Sequence, residues 1–308
     1  MQFKKNKKNK ILKQEKQEIM KPALDDQIHK LLSERLLAIE QHFDADVLTY
    51  YGPFEGGESS FLKIIEELVD DPNKRDKIYI VLTTGGGSAT VVERLVNILR
   101  QHYVEVNFIV PDYAYSAGTI FCMSGDNIHM DYFSVLGPID PQVQNKEGRL
   151  VAALGYLDKI NQLIEKAQNN TLTQAEFMIL KDFDLAELRG YEQAKDLTIA
   201  LLEKWLVKYK FKNWGVHRTD PLKNGQIVTD EEKIERAKEI AGHLSNNNKW
   251  KSHGRPINIE ALKELRLEIE DYSNNDVRRK IIRDYHEIVS DYVVSRNFRI
   301  FVQTRKFI

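Results

Sequence analysis

The residues of this chain best suited to chemistry stand in two short loops, with Gly86 and Ser116 thirty positions apart. The first loop reads Thr83-Thr84-Gly85-Gly86-Gly87-Ser88, the second Tyr113-Ala114-Tyr115-Ser116-Ala117-Gly118-Thr119. Three consecutive glycines remove the side chains from a turn, so its N–H groups can face a ligand. Such a turn suits a phosphate or a developing oxyanion. Phosphate fits poorly: a Walker loop needs Gly-Lys-Ser/Thr where this chain has Gly87-Ser88-Ala89. A dinucleotide fingerprint needs a third glycine where Thr90 stands. An oxyanion hole needs only one or two donors, whereas a plain strand-to-helix turn capped by Ser88 needs no chemistry at all. In the second loop the small residues after Ser116 let a carbonyl approach its hydroxyl and aim the Ala117 N–H toward it. Taken alone, Ser116 reads more simply as a helix N-cap.

Both loops require strand ends to hold them, and the surrounding pattern supplies these. Lys77 to Leu82 is a short, β-branched apolar run of the kind that forms a buried parallel strand. A helical stripe follows at Val91, Val92, Leu95, Val96 and Leu99. Val104 to Val110 is a second strand, Ile120 to Met123 a short helix and Asn127 to Met130 a third strand. Ser134 to Pro141 reads as a strand and a sharp turn. Upstream, residues 24–43 have helical spacing, Asp46 to Tyr51 is a strand and Phe61 to Leu68 an amphipathic helix. Strands alternating with helices imply βαβ units and a parallel sheet. The carboxyl ends of such strands are where ligands sit. Beyond Gly148 the pattern turns helical: 150–167, then 173–208, a helix from the capping box Thr229-Asp230-Glu231-Glu232 to Leu244, and stretches at 259–267 and 277–294.

Bulk properties narrow the class. The chain has 308 residues, 42% of them hydrophobic and 30% charged, with a net charge of −1. That balance gives no reason to expect nucleic acid as the main partner. A single cysteine, Cys122, cannot form an internal disulfide. There is no apolar run long enough for a membrane span and no signal-peptide core, so a cytoplasmic location is expected. No His-Glu-x-x-His or Cys-x-x-Cys pattern occurs, and neither a metal nor another cofactor is expected. The lysine-rich residues 1–23 are expected to form a basic mobile tail.

Taken in order, four motifs resemble the serine dehydrogenase proteinase family, relatives of the ClpP and SppA peptidases. They are Leu82 to Ser88, Tyr115 to Thr119, Gly125-Asp126-Asn127-Ile128 and Leu136-Gly137-Pro138-Ile139-Asp140-Pro141-Gln142. The resemblance covers residues 45 to 145 and resumes at Trp250-Lys251-Ser252-His253-Gly254-Arg255-Pro256-Ile257. It implies an α/β ClpP/crotonase-like fold, with a core over 24–150 and a helical extension over 151–308 serving oligomerisation and completion of the active site. It also implies Ser116 as nucleophile, Gly86 with Gly87 beside it at the oxyanion hole, and Ala117 as the second N–H donor. The reaction would be attack on an amide carbonyl, an acyl-enzyme and hydrolysis.

The general base is where the pattern departs. ClpP proteins carry a histidine in the turn that here reads Pro138-Ile139-Asp140-Pro141, and this chain has none there. SppA-type enzymes use a lysine further along, where Lys159 and Lys166 stand; both also read as solvated charges on a helix. His253 is the other candidate, with Asp140 as a group that could orient a base. His129 is read more simply as a structural residue. The partners implied are a peptide or protein substrate and further copies of the chain, with a separate ATPase left open. Two other readings stand beside this one: a crotonase-type acyl-CoA hydratase or hydrolase, and a non-catalytic oligomeric scaffold.

Overall fold

The computed structural model describes residues 24–140, 142–144, 150–218, 221–252 and 254–308; the basic segment 1–23 and His253 lie outside them. Helix α1 covers residues 24–43. It leads into β1 (Asp46–Tyr51), α2 (Glu58–Val69), β2 (Lys77–Thr83), α3 (Ala89–His102) and β3 (Glu105–Val110). The two-residue β4 (Tyr113–Ala114), α4 (Ala117–Met123), β5 (Asn127–Met130) and β6 (Val135–Leu136) complete the sheet-forming half. A hairpin of β7 (Gln142–Gln144) and β8 (Leu150–Ala152) precedes the helical half. That half holds α5 (Ala153–Gln168), α6 (Gln174–Lys181), α7 (Leu185–Trp205), a π-turn at Leu206–Lys210, α8 (Asp230–Leu244), α9 (Asn247–Trp250) and α10 (Ile259–Glu264). The chain then returns through β9 (Glu270–Asp271), α11 (Asp276–Arg296) and β10 (Phe301–Gln303).

The main sheet has the order β10-β1-β2-β3-β5-β9, parallel throughout except for the antiparallel edge strand β10. Its strands read as apolar runs because both faces are covered. Alternation decides which side chain meets which layer. From β2, Ile78, Ile80 and Leu82 enter the core beneath α2, α3 and α4, whereas Tyr79 and Val81 enter the core beneath α1 and α11. Helix α3 buries the expected stripe, Val91, Val92, Leu95, Val96 and Leu99, and Ser88 caps it by accepting the Val91 N–H.

Four features depart from the sequence expectation. The helix expected over 150–167 begins at Ala153, because Leu150–Ala152 pair with β7. The helix expected over 173–208 is two helices, because the Asp184 carboxylate caps the N–H groups of Ala186 and Glu187 and so starts α7 afresh. The short helix begins at Ala117, not Ile120. The edge strands β9 and β10 were not legible, being two and three residues long. What fixes β10 is distant: Arg305 donates to Asp46 at 2.7 Å and to Glu40 at 2.9 Å, joining the C-terminus to the start of the sheet.

Candidate active site

Ser116 stands at the carboxyl end of the sheet, between β4 and α4, with φ 53° and ψ −116°. A non-glycine residue with positive φ is strained by about 1–3 kcal/mol and persists only where its surroundings over-determine it. Here they do. The Thr84 N–H donates to Tyr113 O at 3.1 Å and the Tyr115 N–H to Thr84 O at 3.0 Å, so the end of β2 grips the chain just before the serine. Strand β4 also pairs with β6. After the serine, the Gly118 N–H returns to Tyr115 O at 2.8 Å and the Ile120 N–H to Ser116 O at 3.2 Å. Gly118 allows α4 to press against β2: a Cβ there would lie 2.4 Å from Thr84 Cγ2.

The glycine loop packs against this turn. Gly86 has φ +107°, and a Cβ on it would come within 2.8 Å of Ser116 Cβ and 2.9 Å of Tyr115 O. Only glycine fits there. The Gly86 N–H donates to Thr84 Oγ1 at 3.0 Å. Among the described residues, the N–H groups of Gly87 and Ala117 have no acceptor. Ser116 is 8% exposed, and its side chain makes no cap hydrogen bond to α4. It is therefore not the helix cap that its position suggests.

The other candidates are spread more widely. Asp140 is buried and accepts the Leu154 N–H at 3.1 Å, at the start of α5. It lines a narrow cleft with Ser245, Trp250 and Ser252. The Ile139 N–H donates to Leu244 O, and Leu136 bridges Ile257, so the C-terminal segment flanking residue 253 is fastened to the Leu136–Asp140 turn. Lys159 and Lys166 are exposed on α5, and Lys166 donates to Glu176 at 2.5 Å. This is a surface pair, and Lys159 is exposed like Lys166. His129 lies on the sheet face away from α4, its ring 5.3 Å from that of Tyr79 and 5.5 Å from that of Phe43. Burial pushes its pKa down to about 3, so it stays neutral.

A cavity of about 740 Å³ is at the opposite end of the sheet, where Glu105 and Asn127 begin β3 and β5. Lys210, Trp214, His217 and Glu235 are among its lining residues. Sequence reasoning missed both this cavity and Thr119, whose buried hydroxyl bonds beside the serine turn. A threonine after Ser-Ala-Gly carries no pattern that marks it. Among the described residues, no cluster of histidine, cysteine and carboxylates has the makings of a metal site. None of their helices is long and apolar enough to cross a membrane.

A strained serine opening a helix at the carboxyl end of a parallel sheet, with a glycine loop against it, defines an α/β protein of the ClpP-like class. A family model described as ClpP-like SDH-type serine proteinase matches residues 60–213, half of the sequence, and the chain belongs to that family. Two uncharacterized proteins of Methanocaldococcus jannaschii, MJ1495 and MJ0137, are similar to it. They are 28% and 29% identical over 66% and 64% of this chain. The chain spans about half the length of these curated relatives, covering 54% of each. Among solved structures, a mutant of the 1510-N membrane-bound stomatin-specific protease matches with TM-score 0.42 and 15% identity, over 75% of this chain and 81% of that one. A second mutant of it, in complex with a substrate peptide, matches with TM-score 0.38 and 16% identity, over 71% and 68%.

Proposed function

We propose that this chain hydrolyses peptide bonds through an acyl-enzyme on Ser116. The observation that carries the reading is the conformation of Ser116: strained, buried and not used as a cap, with Gly86 against its Cβ. Strain of this kind gathers where a fold sacrifices local stability for reactivity. The hydroxyl attacks the amide carbonyl and loses its proton to a base; the oxyanion takes hydrogen bonds from backbone N–H groups; the amine leaves; and water releases the acyl group. Ala117 supplies one donor. The glycine loop supplies the other, from Gly87 as the loop stands, or from Gly86 once a substrate oxygen competes with Thr84 Oγ1. As base we rank His253 first, with Asp140 to orient it. The support is that the strand-turn carrying Asp140 is hydrogen-bonded to the segment on both sides of residue 253. Lys159 and Lys166 come next, should a neighbouring subunit cover α5 and bring one of them to the serine. The substrate is a peptide or protein segment, and the working form a cytoplasmic homo-oligomer.

The test is a fluorophosphonate probe on the purified protein, read by peptide mass spectrometry. Label on Ser116, absent from Ser116→Ala, is the expected result. No label on a well-folded oligomer would overturn the reading, leaving coenzyme A binding to separate a hydratase from a scaffold.

A further inference from the structure

A strained residue stays strained only if something holds it, and at Ser116 one buried side chain reaches both flanks. Thr119 is fully buried, three residues after the serine, on the first turn of α4. Its Oγ1 lies 2.9 Å from Ala114 O, two residues before the serine, and 2.8 Å from Gly137 O. It can donate its single proton to either carbonyl. The same oxygen accepts the Gly137 N–H at 3.1 Å, and that N–H is also 3.2 Å from Ala114 O. One hydroxyl thus joins the strand before the nucleophile, the helix after it and the turn that leads to Asp140. Valine at this position would keep the shape but deprive Gly137 O of its donor, while the Gly137 N–H and Ala114 O would keep only each other.

We infer that Thr119 is the positioning residue of the site: its hydroxyl clamps the two flanks of Ser116 to the Gly137 turn and thereby holds the nucleophile in its strained conformation. The inference rests on the reading of Ser116 as nucleophile. Thr119 itself touches no reacting atom; it acts through the backbone of Ala114 and Gly137. A hydroxyl is required and the methyl is not, so serine substitutes and valine does not.

Two measurements test this, and they fail separately. First, the fluorophosphonate labelling rate of Thr119→Val should fall on the order of a hundredfold, the usual consequence of misplacing a reacting group by about 1 Å. Thr119→Ser should label close to the wild-type rate even though it loses a buried methyl and melts lower. A purely structural role would instead make labelling follow melting temperature, with Thr119→Ser impaired as well. Second, Ser116→Gly relieves positive-φ strain without reference to catalysis. It should raise the melting temperature of the wild-type chain and do so much less in a Thr119→Val background, where the turn has already relaxed. Equal gains in both backgrounds would overturn the clamp even if Ser116 proves to be the nucleophile. Should the wild type not label at all, the peptidase reading fails while the thermal cycle still decides the clamp. If Thr119→Val does not fold, Thr119→Cys, whose thiol is a weak donor, takes its place against Thr119→Ser in both measurements.

Discussion

The two ends of the parallel sheet are built on opposite terms. At the carboxyl end the backbone is crowded until only glycine fits, the serine is buried and strained, and the hydrogen bonds immediately around it are between neutral groups. At the amino end there is an open cavity of about 740 Å³ whose walls mix lysines, glutamates and aromatic rings. Beneath it, Asp126 is shared by Arg100, at 2.8 Å, and Lys212. Arg100 also stacks over the Tyr209 ring, 3.8 Å from its centroid. Volume alone points to the amino end, whereas the proposed site lies at the carboxyl end. Chemistry on a carbonyl needs a few donors held rigidly around one atom, and rigidity of that order leaves little empty space.

If this contrast is right, small insults at the carboxyl end should cost reactivity, and large insults at the amino end should cost stability alone. The largest effect is expected from Gly86→Ala. The new methyl would meet Ser116 Cβ at 2.8 Å and Tyr115 O at 2.9 Å, in a conformation that L-residues rarely adopt. Either the serine or the glycine loop must move. The labelling rate of Ser116 should drop by about 10²-fold or more, the size of losing an oxyanion donor. Labelling at the wild-type rate would remove the glycine loop from the site.

Next comes Asp126→Asn, at the other end. The Arg100–Asp126 pair is buried on both sides, with side chains 9% and 5% exposed. Taking the charge from one partner leaves a guanidinium buried without compensation, which costs about 3–5 kcal/mol. Urea unfolding should show a loss of that order, while Ser116 in the protein that remains folded labels at the wild-type rate. A loss of labelling out of proportion to the folded fraction would join the two ends and break the comparison.

The ends also differed in how far they could be read from sequence. The carboxyl end was legible because its signals are local: a β-branched run ending in Gly85-Gly86-Gly87, and a second strand ending in Ser116-Ala117-Gly118. Alternation, breakers and small residues lie within a few positions of one another, and βαβ topology then dictates that the loops converge. The amino-end cavity was not legible, because its walls come from β3, β5, the π-turn, α8 and the segment after α10. No spacing rule relates Glu105 to Arg266. The same reason hides β10, which depends on Arg305 meeting Glu40 and Asp46 across most of the chain. Thr119 was missed for another reason: its role depends on the turn at Gly137, and a threonine in an apolar helix reads as filler until its partners are known.

The last effect expected is a pH dependence confined to the amino end. Lys210 lines the cavity, and its Nζ contacts the Asp126 carbonyl at 3.3 Å. Desolvation lowers its pKa to about 8, an effect only partly offset by Glu268, Glu270 and Asp126. The usual lysine value of 10.5 applies once the chain unfolds. Below pH 8 both states are protonated, and the folded state carries the full cost of a desolvated charge. Between pH 8 and 10.5 the unfolded state binds more protons than the folded one, so stability rises with pH across that window. Above it the cost is gone. Lys210→Met should therefore be more stable than wild type at pH 7, and the gap between their urea midpoints should narrow steadily from pH 8 to 10. Ser116 labelling should be the same in the two proteins at every pH. Midpoints that run parallel across the range would mean that the Lys210 ammonium is hydrated through the cavity. The amino end would then behave as open surface, and the contrast would reduce to a crowded end and a wet one.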